Sequence, residues 1–305
     1  MQSESKKLVK SGRAKADVYI GYDITYRCNL RCEYCYVLHK LDNKLTGNKF
    51  IATMVLLKLK RFLSENKDKT VEFDILGGEP LSFEGLTEYV HKLEDIRLEY
   101  NNLKIITITT NGVFPTLPNF NDIEYNNNIQ FQVSYHNYSN NIKLLKENLL
   151  KFLRITDLVT LTIHLYDDKL RIQEIRDIIE FCNSNHIHTC TIDINDLGND
   201  FKMVNNSVFT EISDLTSLDN IKNYQVGNTE MSRKNIHDIN WIKDSMKYCN
   251  LSCFNIDYYG DITADCNYTL DRKNITTSDI ELYKVYCKHI SCMGGSGLDQ
   301  KKEYV

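Results

Sequence analysis

Proline and tryptophan are nearly missing. The 305 residues include 3 Pro and 1 Trp, and the 13 Gly are scattered singly or in pairs. No Pro-, Gly- or Ser-rich stretch divides the chain, and no period of about 20–50 residues repeats, which argues against flexibly linked domains and a solenoid. No run approaches the roughly 18–20 uninterrupted apolar residues of a membrane span. The N-terminal MQSESKKLVKSGRAKADV has basic residues with no apolar segment behind them, so no secretory signal is expected and the expected compartment is the cytoplasm. Positive charge is not in excess either. The balance of 37 Lys+Arg against 41 Asp+Glu gives a net charge of −4, which argues against a nucleic-acid partner. Cysteine, by contrast, is plentiful. Of 10 Cys, three lie between Cys28 and Cys35 and five between Cys249 and Cys292. In a chain with no sign of export, that count reads as metal chemistry rather than a disulfide framework.

Hydrophobic residues make up 42% of the chain, enough for a large core at a length where about three quarters of the unfolded surface is buried. Strand-like apolar segments occur at Asp17–Thr25, Thr70–Leu76, Leu103–Thr110, Ile129–Tyr135, Leu158–Leu165 and Thr189–Ile194. Helical spacing of apolar residues is found at Phe50–Leu63, Phe83–Leu98, Asn141–Leu153 and Lys169–Asn183. This alternation predicts βα crossover units and a parallel sheet. Six such units fit either a doubly wound open sheet or an incomplete barrel. Residues 201–245 are polar, Asn-rich and irregular and are expected to form a linker. Residues 246–305, with two short strand pieces (Phe254–Tyr259 and Asp261–Ala264), are expected to form a small metal-organised module, and residues 1–16 a short extension.

The segment Tyr26-Arg-Cys28-Asn-Leu-Arg-Cys32-Glu-Tyr34-Cys35-Tyr36 follows the first strand at its carboxyl end, the edge where parallel α/β folds build active sites. Three thiols in C-x3-C-x2-C spacing can bind three irons of a cubane cluster and leave one iron open to a small molecule. The plain alternative is a zinc knuckle that borrows a distant ligand such as His39.

This motif resembles that of the radical S-adenosylmethionine (SAM) superfamily. The resemblance implies an incomplete (β/α)6 TIM-type barrel over residues 17–200, with Cys28, Cys32 and Cys35 binding a [4Fe–4S] cluster. Its open iron would bind SAM, and one-electron reduction would cleave SAM to methionine and a 5′-deoxyadenosyl radical that takes hydrogen from a substrate. Leu76-Gly77-Gly78-Glu79-Pro80 at the end of strand two matches the family's GGEP motif. Paired glycines permit close backbone approach, and strand-end carbonyls with the Glu79 carboxylate suit the SAM amino group. By the same resemblance, Tyr34 lies beside the adenine, Asn111 of Thr109-Thr110-Asn111-Gly112 lies near SAM, and Ser134 contacts its ribose or carboxylate. His136 reads either as a substrate or SAM contact or as an exposed strand-end histidine. Strand five, at Thr162-Ile163-His164-Leu165, lacks a Gly-rich adenine motif, and no arginine follows strand four. No catalytic acid or base is identifiable.

The pattern Cys249-x10-Gly260-x5-Cys266, followed by Cys287-x4-Cys292, resembles the auxiliary-cluster module called twitch or SPASM. That resemblance implies one auxiliary [4Fe–4S] cluster on Cys249, Cys266, Cys287 and Cys292, with Cys253 spare or exchanging with Cys249. A structural zinc site is the alternative. Cys182 and Cys190 read as packed thiols. Enzymes of this kind often modify peptides or proteins, so maturation of a ribosomal peptide is the leading expectation for function. A small-molecule sugar or aminoglycoside dehydrogenase or epimerase is second, and a zinc-stabilised binding protein is remote. Too few residues precede Cys28 for the leader-binding domain that many peptide maturases carry, which is expected to be absent. A flavodoxin- or ferredoxin-type reductant is the expected partner, with neither nucleic acid nor membrane.

Overall fold

Alternation along much of each strand separates two kinds of side chain. In β1 (Val18–Thr25), Val18, Ile20, Tyr22 and Ile24 enter one buried core. Val71, Phe73 and Ile75 of β2 (Val71–Gly77) join them, with Ile106 and Ile108 of β3 (Leu103–Thr110) and Ile129, Phe131 and Val133 of β4 (Ile129–Tyr135). Leu161 and Ile163 of β5 (Val159–Leu165) extend the row. Most intervening residues are polar, among them Tyr19, Glu72, Asp74, Thr107, Thr109, Gln130, Gln132, Ser134, Thr160 and Thr162, with Leu76 and Ile105 apolar exceptions. Most are buried nonetheless. A parallel sheet covered on both faces usually reads as a continuous apolar run. Here one face packs on helices and the other lines a polar interior.

In the computed structural model, the described residues are 16–32, 35, 37–120, 128–136, 141–165, 172–193, 248–251, 253–264, 268–286 and 302–303. Helices α1 (Lys49–Glu65), α2 (Leu86–Glu99), α3 (Ile142–Phe152) and α4 (Ile172–Ser184) lie between strands as the periodicity predicts. Asn48 and Asn141 cap α1 and α3 by accepting the Ile51 and Leu144 backbone N–H groups, satisfying donors the helix cannot. With β6 (His188–Asp193), strands β1 to β6 run parallel in sequential order. The expected incomplete barrel is therefore the fold. All six strands lie within a residue or two of their predicted bounds.

The C-terminal strands are β7 (Tyr248–Leu251), β8 (Cys253–Ile256), β9 (Asp261–Ala264), β10 (Tyr268–Asn274), β11 (Tyr283–Tyr286) and β12 (Lys302–Glu303). Strand β8 pairs in parallel with β1, placing Cys253 opposite Tyr19 and Asn255 opposite Gly21. The full sheet runs β10-β9-β8-β1-β2-β3-β4-β5-β6, while β11, β7 and β12 form a separate antiparallel sheet. The two strand pieces expected on either side of Gly260 thus continue the barrel sheet.

The reason is apolar burial. Phe254, Ile256, Ile262, Ile275 and Ile280 share the core with α1. Asp279 accepts Lys58 at 2.6 Å and Arg61 at 2.7 Å, both from α1. Cys249 and Cys253, neighbours in sequence, belong to different sheets. The expected linker and Cys266, Cys287 and Cys292 lie outside the described residues, as does nearly all of the N-terminal extension. Among the described residues, no helix is long and apolar enough to cross a membrane.

Candidate active site

The loop after β1 folds back on itself before it meets anything else. The Tyr26 and Arg27 N–H groups donate to the Leu45 carbonyl, as does the Thr25 hydroxyl at 2.7 Å. Cys35 N–H donates to Cys32 O, and Arg31 Nη1 donates to Cys28 O at 2.7 Å. Cys28 and Cys32 are buried and Cys35 is half-buried, and none of the three is joined in a disulfide. Burial pushes the Cys28 thiol up to about 11 and raises the Cys35 thiol as well.

The paired glycines after β2 close against this loop. Gly78 N–H donates to Thr25 O at 2.7 Å and Glu79 N–H to Arg27 O at 2.8 Å. Gly77 adopts φ 139°, and a Cβ there would stand 2.3 Å from Thr25 O. A Cβ on Gly78 would stand 2.5 Å from Arg27 O and 3.1 Å from Cys28 Cβ. The close approach expected of this pair is thus made to the cysteine loop's own backbone.

Glu79 is fully buried. Its carboxylate accepts the Thr110 hydroxyl at 2.5 Å, Asn111 N–H at 2.8 Å and Leu81 N–H at 3.0 Å. It ties the end of β2 to the end of β3, and burial pushes its carboxyl up to about 7 despite those donors. Asn111, 7% exposed, donates from Nδ2 to Asn29 Oδ1 at 2.9 Å and toward Cys28 Sγ at 4.0 Å.

Ser134 faces the polar interior in register with Thr162. Two residues further along each strand, His136 and His164 stack at 4.8 Å with 20° between ring planes. Burial pushes His164 down to about 4 and His136 well below the usual range, so both are neutral at pH 7. His136 is therefore part of a pair at the carboxyl rim, not an isolated surface group. The polar interior below is ordered by its own bonds, Tyr19 and Thr109 to Asp74 at 2.8 and 2.9 Å and Thr107 to Glu72 at 2.9 Å. Tyr34 lies outside the described residues, and only the backbone of Cys249 is described. Cys253 is buried in the sheet, and Cys182 is a packed thiol on α4, pushed up to about 12 by burial.

Asn29, His164 and the aromatic bracket on the loop went unread in the sequence. Tyr258, at the β8–β9 turn, packs on Tyr26 with ring centroids 5.3 Å apart, and Cys35 rests against the cluster they form with Val37. A signal existed for His164, since Ser134/His136 and Thr162/His164 repeat one polar parity on adjacent strands. None existed for the Tyr26–Tyr258 contact, which joins residues far apart in the chain.

Among the described residues, no three Cys, His, Asp or Glu side chains converge as ligands of one ion would. A cubane asks for something different, since each thiolate binds its own iron. Three thiols outside any disulfide, buried or half-buried on one self-braced loop with backbone N–H donors nearby, fit that cluster. A barrel sheet with cluster-type thiols at the carboxyl end of its first strand defines a class of iron–sulfur enzyme. The chain belongs to the radical SAM superfamily, whose family model matches residues 22–194. It is 36% identical over 95 residues to the GTP 3′,8-cyclase of Petrotoga mobilis, a match covering 31% of this chain and 27% of that protein. It is 33% identical over 95 residues to human molybdenum cofactor biosynthesis protein 1, covering 31% of this chain and 14% of that protein. Among solved structures, SuiB of Streptococcus suis bound to its precursor peptide SuiA superposes with a TM-score of 0.54 at 17% identity, over 90% of this chain and 66% of SuiB. The anSMEcpe structure with bound AdoMet gives 0.53 at 17% identity, over 84% and 74%. These two likenesses establish the fold, and the chain spans only about a quarter of the cyclases' length.

Proposed function

We propose that this radical SAM enzyme modifies a peptide or protein, with Cys28, Cys32 and Cys35 holding the SAM-binding [4Fe–4S] cluster. When bound, that cluster supplies the electron that cleaves SAM. The chain's own residues hold the thiols in place through Gly77, Gly78, Glu79 and the Tyr26–Tyr258 contact, while Ser134 and Tyr34 contact SAM. The observation that carries a polymeric substrate is the open sheet. Among the described residues, nothing pairs β6 with β10, so the sheet stays open at its side. Such an opening suits an extended chain, to which an unpaired strand edge offers backbone N–H and C=O groups.

Cys249, Cys266, Cys287 and Cys292 hold a second [4Fe–4S] cluster in this reading. The burial of Cys253 in the barrel sheet supports leaving it out of that set. A flavodoxin- or ferredoxin-type protein in the cytoplasm supplies the electron. A second reading, a small nucleotide substrate, is favoured by the identity to GTP 3′,8-cyclases.

The test begins with anaerobic reconstitution and iron counting. About 8 iron per chain are expected, and about 4 in a Cys28/Cys32/Cys35→Ala variant. The parent, given SAM and reductant, is expected to form 5′-deoxyadenosine, and the variant none. Deuterium transferred to 5′-deoxyadenosine from a labelled peptide library, and not from labelled GTP, supports the peptide reading. The reverse pattern establishes the nucleotide reading. Cleavage surviving loss of the three cysteines would remove the site altogether.

A further inference from the structure

The asparagine at the end of β3 is expected to meet SAM, yet its side chain is committed inward. Val113 N–H donates to Asn111 Oδ1 at 2.9 Å, which fixes the oxygen end of the amide. The Nδ2 end must then point the other way, toward Asn29 Oδ1 at 2.9 Å and Cys28 Sγ at 4.0 Å. The Asn29 amide is fixed as well, because its Nδ2 donates to Val113 O at 3.2 Å. Backbone groups that cannot exchange roles therefore aim an N–H of Asn111 at the sulfur. The same sulfur receives the Leu30 N–H at 3.4 Å. A neutral thiol is a weak acceptor, whereas a metal-bound thiolate is a charged one and draws donors closer.

Resting on the reading that Cys28 ligates the cluster, we infer that Asn111 is a hydrogen-bond donor to the Cys28 sulfur that raises the cluster's reduction potential, and that Asn29 is its positioning residue. One-electron reduction adds negative charge to the iron–sulfur core and its thiolates without changing any bond of the protein. A donor aimed at a ligand sulfur favours the more negative state, and hydrogen bonds to sulfur are a recognised determinant of cluster potential. This assigns the strand-end asparagine to tuning the electron step instead of to gripping SAM.

The experiment follows the EPR signal that disappears in the Cys28/Cys32/Cys35→Ala variant. Its midpoint potential is titrated in the reconstituted parent and in Asn111→Ala, Asn29→Ala and Asn148→Ser. Asn148 is the control, because it holds the same loop by donating to Gly112 O and Phe114 O at 2.9 and 3.2 Å without touching sulfur. Asn111→Ala with parental iron content is expected to have a more negative midpoint than the parent. Asn29→Ala should shift the same way by less, and Asn148→Ser should stay at the parental value. An unchanged potential in Asn111→Ala, or an equal shift in Asn148→Ser, overturns the inference.

Should Asn111→Ala fail to take up iron, pulsed EPR of the reduced parent with 15N in its asparagine side chains decides. A 15N coupling to this cluster supports the donor, and its absence overturns it. A parent that shows no such EPR signal at all would defeat the cluster reading itself, a result distinct from either.

Discussion

The carboxyl group of Glu79 offers a stability measurement that needs no substrate. Burial raises it from its ordinary 4.5 to about 7, so the folded chain holds a proton that the unfolded chain has released across that window. Fewer protons on the unfolded state mean that stability falls as pH rises. This contribution is fully present below 4.5 and is lost on passing through 7. At about 1.4 kcal/mol per pH unit, the whole effect is about 3 kcal/mol, of which about 2.5 kcal/mol falls between pH 5 and pH 8.

His164 acts in the opposite sense. It is held down near 4, so it adds stability as pH rises toward 6.5, and the parent's own curve conceals both. The informative quantity is the difference between parent and Glu79→Gln. Gln keeps an oxygen for the Thr110 and Leu81 donors but sets its NH2 against Asn111 N–H, a pH-independent cost of about 1–3 kcal/mol. Urea unfolding of both proteins in the same metal state at pH 5, 6, 7 and 8 should show the parent's advantage over the variant shrinking by about 2.5 kcal/mol. A difference constant across that range would refute the assignment of Glu79 as a buried, proton-holding strut.

Gly78→Ala places a methyl 2.5 Å from Arg27 O and 3.1 Å from Cys28 Cβ. It should cost about 2 kcal/mol in urea unfolding and lower iron uptake, whereas parental values for both would mean the turn does not clasp the loop. Tyr258→Ala should cost about 3 kcal/mol and weaken iron retention during chelator challenge, whereas Tyr258→Phe, which keeps the ring and loses only the bond from the Gly47 backbone, should cost about 1 kcal/mol. Asp279→Asn should give a small loss in urea midpoint that disappears at about 1 M salt, since it removes a partly exposed pairing with α1. A salt-insensitive loss would point to packing instead of charge.

Much of this protein was legible along the chain because local periodicity carries it. Apolar, β-rich segments placed β1 to β6, and period-3.6 spacing placed α1 to α4. The spacing of Cys28, Cys32 and Cys35 after a strand pointed to a cluster site without any coordinates, since ligand spacing on a short loop is itself local. What periodicity could not supply was partnership across distance. Gly77 and Gly78 were recognisable, but only the fold shows that the backbone they admit belongs to Thr25 and Arg27. Glu79 stands out in sequence by the motif it closes, and only in space does its carboxylate tie two strand ends together, through donors from Leu81, Thr110 and Asn111. The β8–β9 hairpin looked like part of a separate module. It joined the main sheet because Phe254, Ile256 and Ile275 had core surface to bury against α1, and because β1 had an edge left to pair. Sequence alone pointed to the family's chemistry and to where strands β1 to β6, β8 and β9 lie. Tertiary structure decided which residues brace that chemistry, because hydrogen bonds and packing depend on distance in space, which spacing along the chain does not encode.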